Sequence, residues 1–258
     1  MTAPRALSFG SVAERYEQFR PGYPGEVADT VLGPSAVHGV RTALEVGAGT
    51  GKATRLFAGR GIAVTAVEPD PAMAAVLLRT TAGLPVEVLQ VPFEDLLSRP
   101  RVDLLYSAAA WHWTDPATRW KRAARLLPPG GIFACMGGPV QFADGDLEAR
   151  WDAVRAEVID DESVPGAEGG DDAHAWPENE LRASAWFDDV TRTDLTQHHP
   201  MAADDLIGLV STVSAFVVLD AHPRTDLLRR LRALLPEQVE VRRELVVHRA
   251  LRNERPVG

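Results

Sequence analysis

The chain has 258 residues, of which 45% are hydrophobic and 24% charged, and its formal net charge is −9. This length and composition favour one large globular domain with a full core. They argue against nucleic acid as a partner, because phosphate binding needs clustered cations and the chain has only two lysines, Lys52 and Lys121.

The chain shows no apolar leader after its N-terminal charges and no run of about 18 apolar residues, so we expect a cytoplasmic protein that does not bind membranes. The one cysteine, Cys135, lies among apolar residues, which indicates a buried thiol rather than a nucleophile. Residues 141–195 carry sixteen acidic residues against four arginines. We interpret this region as a solvated insertion; the alternative is a surface that repels anionic substrates.

The first half of the chain alternates between short runs rich in Val, Ala and Leu and helical patterns, which is typical of a parallel sheet covered on both faces. Gly59 follows the first helical pattern, Pro71 lies in the first turn of the second, and Pro128 follows the third. The predicted strands are 42–46, 63–68, 86–90, 103–108 and 132–136, and the predicted helices are 52–58, 71–79 and 115–127.

The pattern becomes more helical after Met136. Residues 165–177 are rich in Gly and Asp, which predicts a flexible loop or lid. Residues before 40 predict an amphipathic arm packed over the site. The other predicted elements are helices at 147–159, 180–186, 203–210 and 224–235, a strand within 190–197 and a last strand at 239–248.

The sequence TALEVGAGTGKAT leads from the first strand into Gly47, Gly49 and Gly51 and then into a helix. Glycine suits a tight turn that a ligand approaches closely. The dinucleotide fingerprint would need its third glycine at position 52, where Lys52 stands. A phosphate-binding loop would need a glycine at position 46 and a hydroxyl at position 53, which are valine and alanine here.

The remaining pattern, E-x-G-x-G-x-G, resembles the class I S-adenosylmethionine-dependent methyltransferases. The resemblance implies that the loop passes beneath the methionine part of the cofactor, with Glu45 near it. Glu68 ends TAVEPD, about one βα unit downstream, where a carboxylate can accept hydrogen bonds from both ribose hydroxyls. The implied cofactor-binding residues of these two segments are Glu45, Gly47, Ala48, Gly49, Thr50, Gly51, Glu68, Pro69 and Met73.

The resemblance continues through VPFEDL, DLLYSAAAWHWTDP and RLLPPGGIF. It implies that Phe93 flanks the adenine and that Glu94 reaches the adenine amino group, with Asp95 as a rival for the polar role. Ala109 and Trp111 are implied at the cofactor, where a tryptophan can act as a wall or contact the sulfonium by cation-π attraction. Plain core packing is the alternative for the tryptophan.

The segments FGSVAERYEQFRPGYP and RRELVVHRALR also resemble the trans-aconitate methyltransferase-like branch, which implies a small-molecule acceptor. The resemblance implies that the N-terminal arm, with Tyr16 and Arg20, closes over the cofactor. Arg20 then pairs with the methionyl carboxylate; a surface arginine is the alternative. Tyr23, Trp113 and His174 are predicted to contact the substrate, and solvent exposure is the alternative for the histidine.

His112 follows the fourth strand, and its ordinary pKa lies near working pH, so it is our catalytic candidate as a general base. A positioning or packing role is the alternative. Proximity alone supplies several kcal/mol in methyl transfer, so no catalytic residue is obligatory. His198 and His199 lack further ligands at suitable spacing, and we predict no metal.

The expected fold is α/β, a doubly wound, Rossmann-like, mostly parallel seven-stranded sheet with helices on both faces, an antiparallel last strand and a helical insertion after strand five. We predict a single domain over 1–258: an arm (1–40), a cofactor-binding half (41–138), a helical and acidic-loop insertion (139–186) and C-terminal strands and helices (187–258).

The predicted function is S-adenosylmethionine-dependent methylation of a small molecule, O-directed, by in-line transfer, in a monomer or homodimer. The alternatives are a protein methyltransferase and an S-adenosylmethionine-binding protein that does not transfer methyl. A dehydrogenase is disfavoured by Lys52 in the loop.

Overall fold

The computed structural model describes residues 7–36, 39–96, 100–159 and 177–257. These residues fall into two compact units. The first, here called the sheet unit, holds the described residues within 21–137, 177–195 and 245–257; the second, the helical unit, holds residues 7–20, 138–159 and 196–244. Each unit is described by itself, and the single-domain organisation stays a prediction.

The helices and strands are numbered in chain order. They are α1 (Ala13–Phe19), α2 (Gly25–Ala36), β1 (Thr42–Val46), α3 (Lys52–Ala58), β2 (Ala63–Val67), α4 (Pro71–Thr80), β3 (Val86–Leu89), β4 (Leu104–Ala108), α5 (Arg119–Leu126), β5 (Ile132–Gly137), β6 (Val140–Phe142), α6 (Gly145–Ala156), α7 (Glu178–Ala183), β7 (Phe187–Ala202), α8 (Ala203–Val210), α9 (Ser214–Val217), α10 (Ala221–Leu234) and β8 (Gln238–Arg252). Three 3-10 helices add to these, Leu7–Val12, Phe93–Asp95 and Trp111–Trp113.

The sheet unit is built on the strand order β3-β2-β1-β4-β5-β8, and β7 also pairs with β8. The first five strands are parallel, and β8 runs antiparallel to β5. This confirms the predicted mostly parallel Rossmann-like sheet with an antiparallel last strand, but the described residues form eight strands and not the predicted seven. Because the carboxyl ends of parallel strands lie at one edge of the sheet, the segments that follow β1, β2 and β4 come together there.

The sheet is buried on both faces, because neighbouring residues of each strand point to opposite sides. On β1, Ala43 belongs to a core cluster that includes Phe57 of α3, whereas Leu44 belongs to a second cluster that includes Trp120 of α5. Two apolar layers therefore cover the strands, which explains the continuous apolar runs of their sequences.

The helical unit has its own core, formed by α6, α8 and α10 together with β6 and the first part of β8. Phe142 packs edge-on against Trp151, with ring centroids 5.2 Å apart. Helix α1 packs against α8, where a Cβ on Gly208 would stand 2.4 Å from the Phe19 ring. A glycine at this position therefore allows the two helices to approach closely.

The structure corrects three predicted elements. Helix α5 begins at Arg119 and not at Asp115, because the Asp115 carboxylate accepts hydrogen bonds from the Ala117 amide and the Thr118 hydroxyl and forms a turn. The helix predicted at 180–186 is Glu178–Ala183, since Ser184 is already extended. Strand β6 was not predicted, because three residues are too few to show a periodicity.

Candidate active site

The glycine loop connects β1 with α3 at the carboxyl edge of the sheet. Its three glycines have positive φ angles, 70° at Gly47, 58° at Gly49 and 88° at Gly51, a region that side chains other than glycine disfavour. The amides of Gly47 and Ala48 both donate to the Val67 carbonyl, at 2.9 and 3.0 Å. The loop is therefore fixed to the end of β2.

Glu68 follows β2, and its buried carboxylate is tied to this loop. Oε2 accepts a hydrogen bond from the Gly49 amide at 2.8 Å, and Oε1 accepts one from the Asp70 amide at 2.9 Å. Burial raises the pKa of Glu68 above its ordinary value, although both hydrogen bonds lower it. Asp70 in turn caps α4, accepting from the Ala72 and Met73 amides at 2.9 Å.

The loop has the properties of a ligand cradle. A Cβ built on Gly49 would meet no atom within 4 Å, so the space beside it is open. The hydroxyl of Thr50 is buried and has no hydrogen-bond partner within the described residues. A buried hydroxyl without a partner is costly, and a bound polar group would satisfy it. The loop and Glu68 therefore fit the nucleoside and amino-acid parts of S-adenosylmethionine.

Glu45 lies on β1, one residue before the strand ends, and is 1% exposed. Its Oε2 accepts hydrogen bonds from the hydroxyl of Thr54 at 2.5 Å and from the phenol of Tyr106 at 3.0 Å. Burial raises the pKa of Glu45 to about 8 against these two hydrogen bonds, which lower it. The sequence placed Glu45 in the first strand, as observed, but indicated neither of its partners, and its place near the cofactor stays a prediction.

Phe93 and Trp111 are buried in an aromatic cluster of the sheet unit, with ring centroids 5.6 Å apart. Trp111 also contacts Trp120 and Phe133, at 5.3 and 4.9 Å. These contacts support core packing for Trp111. Its indole N–H is buried and has no hydrogen-bond partner in the described part of the chain.

Glu94 accepts a hydrogen bond from the Asp115 amide, through Oε1 at 2.8 Å. The contact joins the 3-10 helix after β3 to the segment after β4, whereas Asp95 is exposed. Ala109, which follows β4, has a positive φ of 56°, and its amide donates to the Met136 carbonyl at 2.8 Å. A non-glycine residue in this conformation stores backbone strain at the end of β4.

His112 lies in the 3-10 helix after β4, with its ring 4.5 Å from that of Trp113. The residue is exposed. Partial enclosure by the protein and the charge of Arg119 lower the pKa of His112 to about 4. The imidazole is therefore neutral at physiological pH. A neutral imidazole can accept a hydrogen bond, but a pKa this low makes it a weak base.

Arg119 is the first residue of α5 and is 4% exposed. It binds the Glu180 carboxylate of α7 at 2.6 Å, and the indole of Trp120 donates to the same carboxylate at 2.7 Å. Sequence reasoning missed this pair, because the partners are separated by 61 positions. Short-range patterns carry no signal for it.

The remaining predicted site residues lie in different parts of the molecule. Tyr23 is in the sheet unit and packs against the core cluster of Phe57. Arg20 is in the helical unit, where its guanidinium donates to the hydroxyl and carbonyl of Thr212 at 2.9 and 3.2 Å and lies over the Tyr16 ring. His174 falls outside the described residues. The roles proposed for these residues at the site stay predictions.

Known proteins resemble this chain over most of its length. A family model described as a methyltransferase domain matches residues 44–135. An uncharacterized methyltransferase of Mycobacterium tuberculosis is 34% identical over 233 residues, which are 89% of this chain and 86% of the relative. The chain belongs to the class I S-adenosylmethionine-dependent methyltransferases.

The methyltransferase also resembles solved structures. A candidate type II methyltransferase from Anaeromyxobacter dehalogenans is 25% identical with a TM-score of 0.61, covering 90% of this chain and 97% of the other. Phosphoethanolamine N-methyltransferase 2 of Haemonchus contortus, solved with S-adenosyl-L-methionine, has a TM-score of 0.54 at 15% identity, covering 95% of this chain and 57% of the other. The latter shows the shared fold.

The described residues of the methyltransferase bear on metal binding and on membrane insertion. They contain no group of three or more His, Cys, Asp and Glu side chains placed to hold a metal ion. They also contain no helix with the length and apolar composition needed to span a membrane.

Proposed function

We propose that this methyltransferase methylates an oxygen atom of a small molecule, with alignment of the acceptor as its main catalytic device. The observation that carries the proposal is the position of His112, an exposed imidazole in the 3-10 helix after β4 whose ring lies 4.5 Å from that of Trp113. A neutral imidazole accepts a hydrogen bond from a hydroxyl and does not repel a cationic cofactor.

In this proposal the cofactor binds against the glycine loop. Glu68 accepts hydrogen bonds from the ribose hydroxyls, and the Thr50 hydroxyl forms a hydrogen bond with the methionine part. Phe93 and Glu94 face the adenine side, after β3. The open space at Gly49 and the unpartnered Thr50 hydroxyl support this placement.

S-adenosylmethionine supplies a methyl group on a sulfonium, and the neutral thioether that departs is a good leaving group. The protein's main task is therefore to hold the acceptor in line. His112 accepts the hydrogen bond of an acceptor hydroxyl and fixes its lone pair. Because its pKa is about 4, His112 positions the oxygen more than it activates it before transfer, and the hydroxyl proton leaves to solvent as the new O–C bond forms. A carboxylate acceptor needs no base at all.

A small acceptor is supported by two features. The net charge of −9 and the two lysines disfavour nucleic acid. The resemblance that the sequence of segments 9–24 and 242–252 suggested, to the trans-aconitate methyltransferase-like branch, implies a small acceptor as well. The roles of Tyr16, Arg20 and Tyr23 at the cofactor and acceptor stay predictions from the sequence.

The test is a transfer assay with methyl-labelled cofactor and a panel of small carboxylates, phenols, alcohols and amines, with a protein extract as a parallel acceptor. We expect labelled esters or ethers, identified by mass spectrometry. Replacing His112 by Ala should lower kcat for hydroxyl acceptors more than for carboxylates. Label found only on protein or on nitrogen, or cofactor binding without any transfer, would show the proposal to be wrong.

A further inference from the structure

The Glu45 carboxyl stands between two hydroxyl donors from different elements. Glu45 of β1 and Tyr106 of β4 are partners in the parallel register, so their side chains share one face of the sheet. Thr54 reaches the same carboxyl from α3. The Tyr106 ring packs against Phe57 of α3, with centroids 4.3 Å apart, which holds the phenol in place.

Opposing influences act on the charge of this carboxyl. The Thr54 and Tyr106 hydroxyls donate to it and stabilise its anion, and Arg55 adds a weaker attraction. Full burial and the neighbouring carboxylate of Glu68 disfavour the anion. Burial dominates, and the pKa of Glu45 is raised to about 8. Burial therefore favours the protonated form of Glu45, while the Thr54 and Tyr106 hydroxyls already stand where they donate to the ionised form.

Glu45 and Glu68 lie at the carboxyl ends of the neighbouring strands β1 and β2, beside the loop where the cationic cofactor is proposed to bind. Glu68 is tied to Gly49 of the loop, and Glu45 immediately precedes the loop on β1. A fixed positive charge near both carboxyls lowers the cost of ionising the second one. S-adenosylmethionine carries such a charge on its sulfonium, in addition to the ammonium group that both forms share, whereas the sulfur of the demethylated product is an uncharged thioether.

We propose that Tyr106 and Thr54 are positioning residues that hold the Glu45 carboxyl so that it ionises when the sulfonium cofactor occupies the loop. The proton passes to solvent on binding, and Glu45 takes it back once the sulfonium charge is gone. Tyr106 and Thr54 thereby make the protein bind S-adenosylmethionine more tightly than its demethylated product. This inference rests on the cofactor placement proposed above.

Calorimetry measures the proton directly. S-adenosylmethionine is titrated into the protein near neutral pH in two buffers of different ionisation enthalpy, and its demethylated product is titrated in parallel. We expect release of about one proton with the sulfonium cofactor and clearly less with the product. A heat of S-adenosylmethionine binding that does not depend on the buffer overturns the inference, as does equal release with both ligands.

Substitutions test whether the released proton comes from Glu45. Glu45→Gln should abolish the release, and Tyr106→Phe should reduce it and lower the preference for the sulfonium cofactor over the product on the order of tenfold. Ser107→Ala is the matched control, because it removes a buried hydroxyl that binds the Val46 carbonyl of β1 from the same strand. Release that persists in Glu45→Gln, or an unchanged preference in Tyr106→Phe, contradicts the inference.

An infrared difference spectrum of the unmodified protein keeps the inference testable if a variant does not fold. Addition of S-adenosylmethionine should remove the carbonyl band of a protonated carboxylic acid, and no loss of that band overturns the inference. The Glu68→Ala variant distinguishes a wrong cofactor placement from a wrong inference about Glu45. If it binds the cofactor as tightly as the parent, the proposed placement fails; if it weakens binding while the parent releases no proton, only the inference about Glu45 fails.

Discussion

Gly47 of the glycine loop and Ala110 after β4 lie so close that a Cβ on Gly47 would stand 2.4 Å from the Cβ of Ala110. The backbone of Gly47 also has a φ of 70°. The carboxyl ends of β1 and β4 thus meet at a contact with no room for one further methyl group. The shape of the cofactor loop depends on this contact.

Gly47→Ala is therefore expected to weaken cofactor binding strongly and to lower the free energy of unfolding by about 2 to 4 kcal/mol, through clash and backbone strain together. Calorimetric titration and denaturant unfolding measure the two effects. Gly61→Ala is the control, because Gly61 has a φ of 81° but a Cβ there would meet nothing within 4 Å. Equal losses in both variants would mean that strain alone, and not the contact with Ala110, is responsible.

Replacement of Glu68 by Ala should weaken S-adenosylmethionine binding by about 1 to 3 kcal/mol, because charged hydrogen bonds to the ribose and to the Gly49 amide are lost together. Calorimetry measures the affinity. Glu87→Ala removes an exposed carboxylate from β3 of the same sheet and should leave binding within about 0.5 kcal/mol of the parent. A ribose contact elsewhere would be indicated by unchanged affinity in Glu68→Ala.

His112 should remain neutral throughout the ordinary assay range, because its pKa is lowered to about 4. We expect the rate to show no inflection from this residue between about pH 5.5 and 8. The unfolded chain binds a proton at higher pH than the folded one, so the stability contribution of His112 is present above its ordinary pKa of 6.5 and is lost as the pH falls toward 4. Nuclear magnetic resonance titration of the imidazole checks the assignment; an inflection near 6.5 would contradict it.

Glu180→Ala leaves the buried Arg119 guanidinium without its carboxylate. Glu180 is 36% exposed at its side chain, so water screens part of the loss, and we expect about 1 to 3 kcal/mol of destabilisation. Thermal or denaturant unfolding measures it. Glu178→Ala breaks the i,i+4 pair with the largely exposed Arg182 of the same helix and should cost no more than about 0.5 kcal/mol. Equal costs would show that the burial of Arg119 adds nothing to the pair.

The parts predicted well from sequence are those governed by local physics. Parallel strands buried on both faces require continuous apolar runs, so β1, β2, β4 and β5 were located within one residue at each end. The glycine loop was recognised because its conformation restricts the residue type at Gly47, Gly49 and Gly51. Membership of the class I methyltransferases followed from the same residues.

The parts that escaped prediction depend on register or on distant partners. Tyr106 reaches Glu45 because β1 and β4 are neighbours in the sheet, although 61 positions separate the two residues. Glu94 was expected at the adenine, and its bond to the Asp115 amide depends on how two connecting segments meet. Short elements such as β6 and α9 show too few residues for a periodic pattern.

Cys135, the chain's one cysteine, lies within β5, where burial raises the pKa of its thiol to about 12. Alkylating reagents react with the thiolate, so the folded protein should resist them at neutral pH. Modification of Cys135 then requires that β5 separate from the strands and helices that cover it. The rate at which one alkyl group is added therefore reports opening of this core, in a protein that carries its own single-site probe and needs no engineered label.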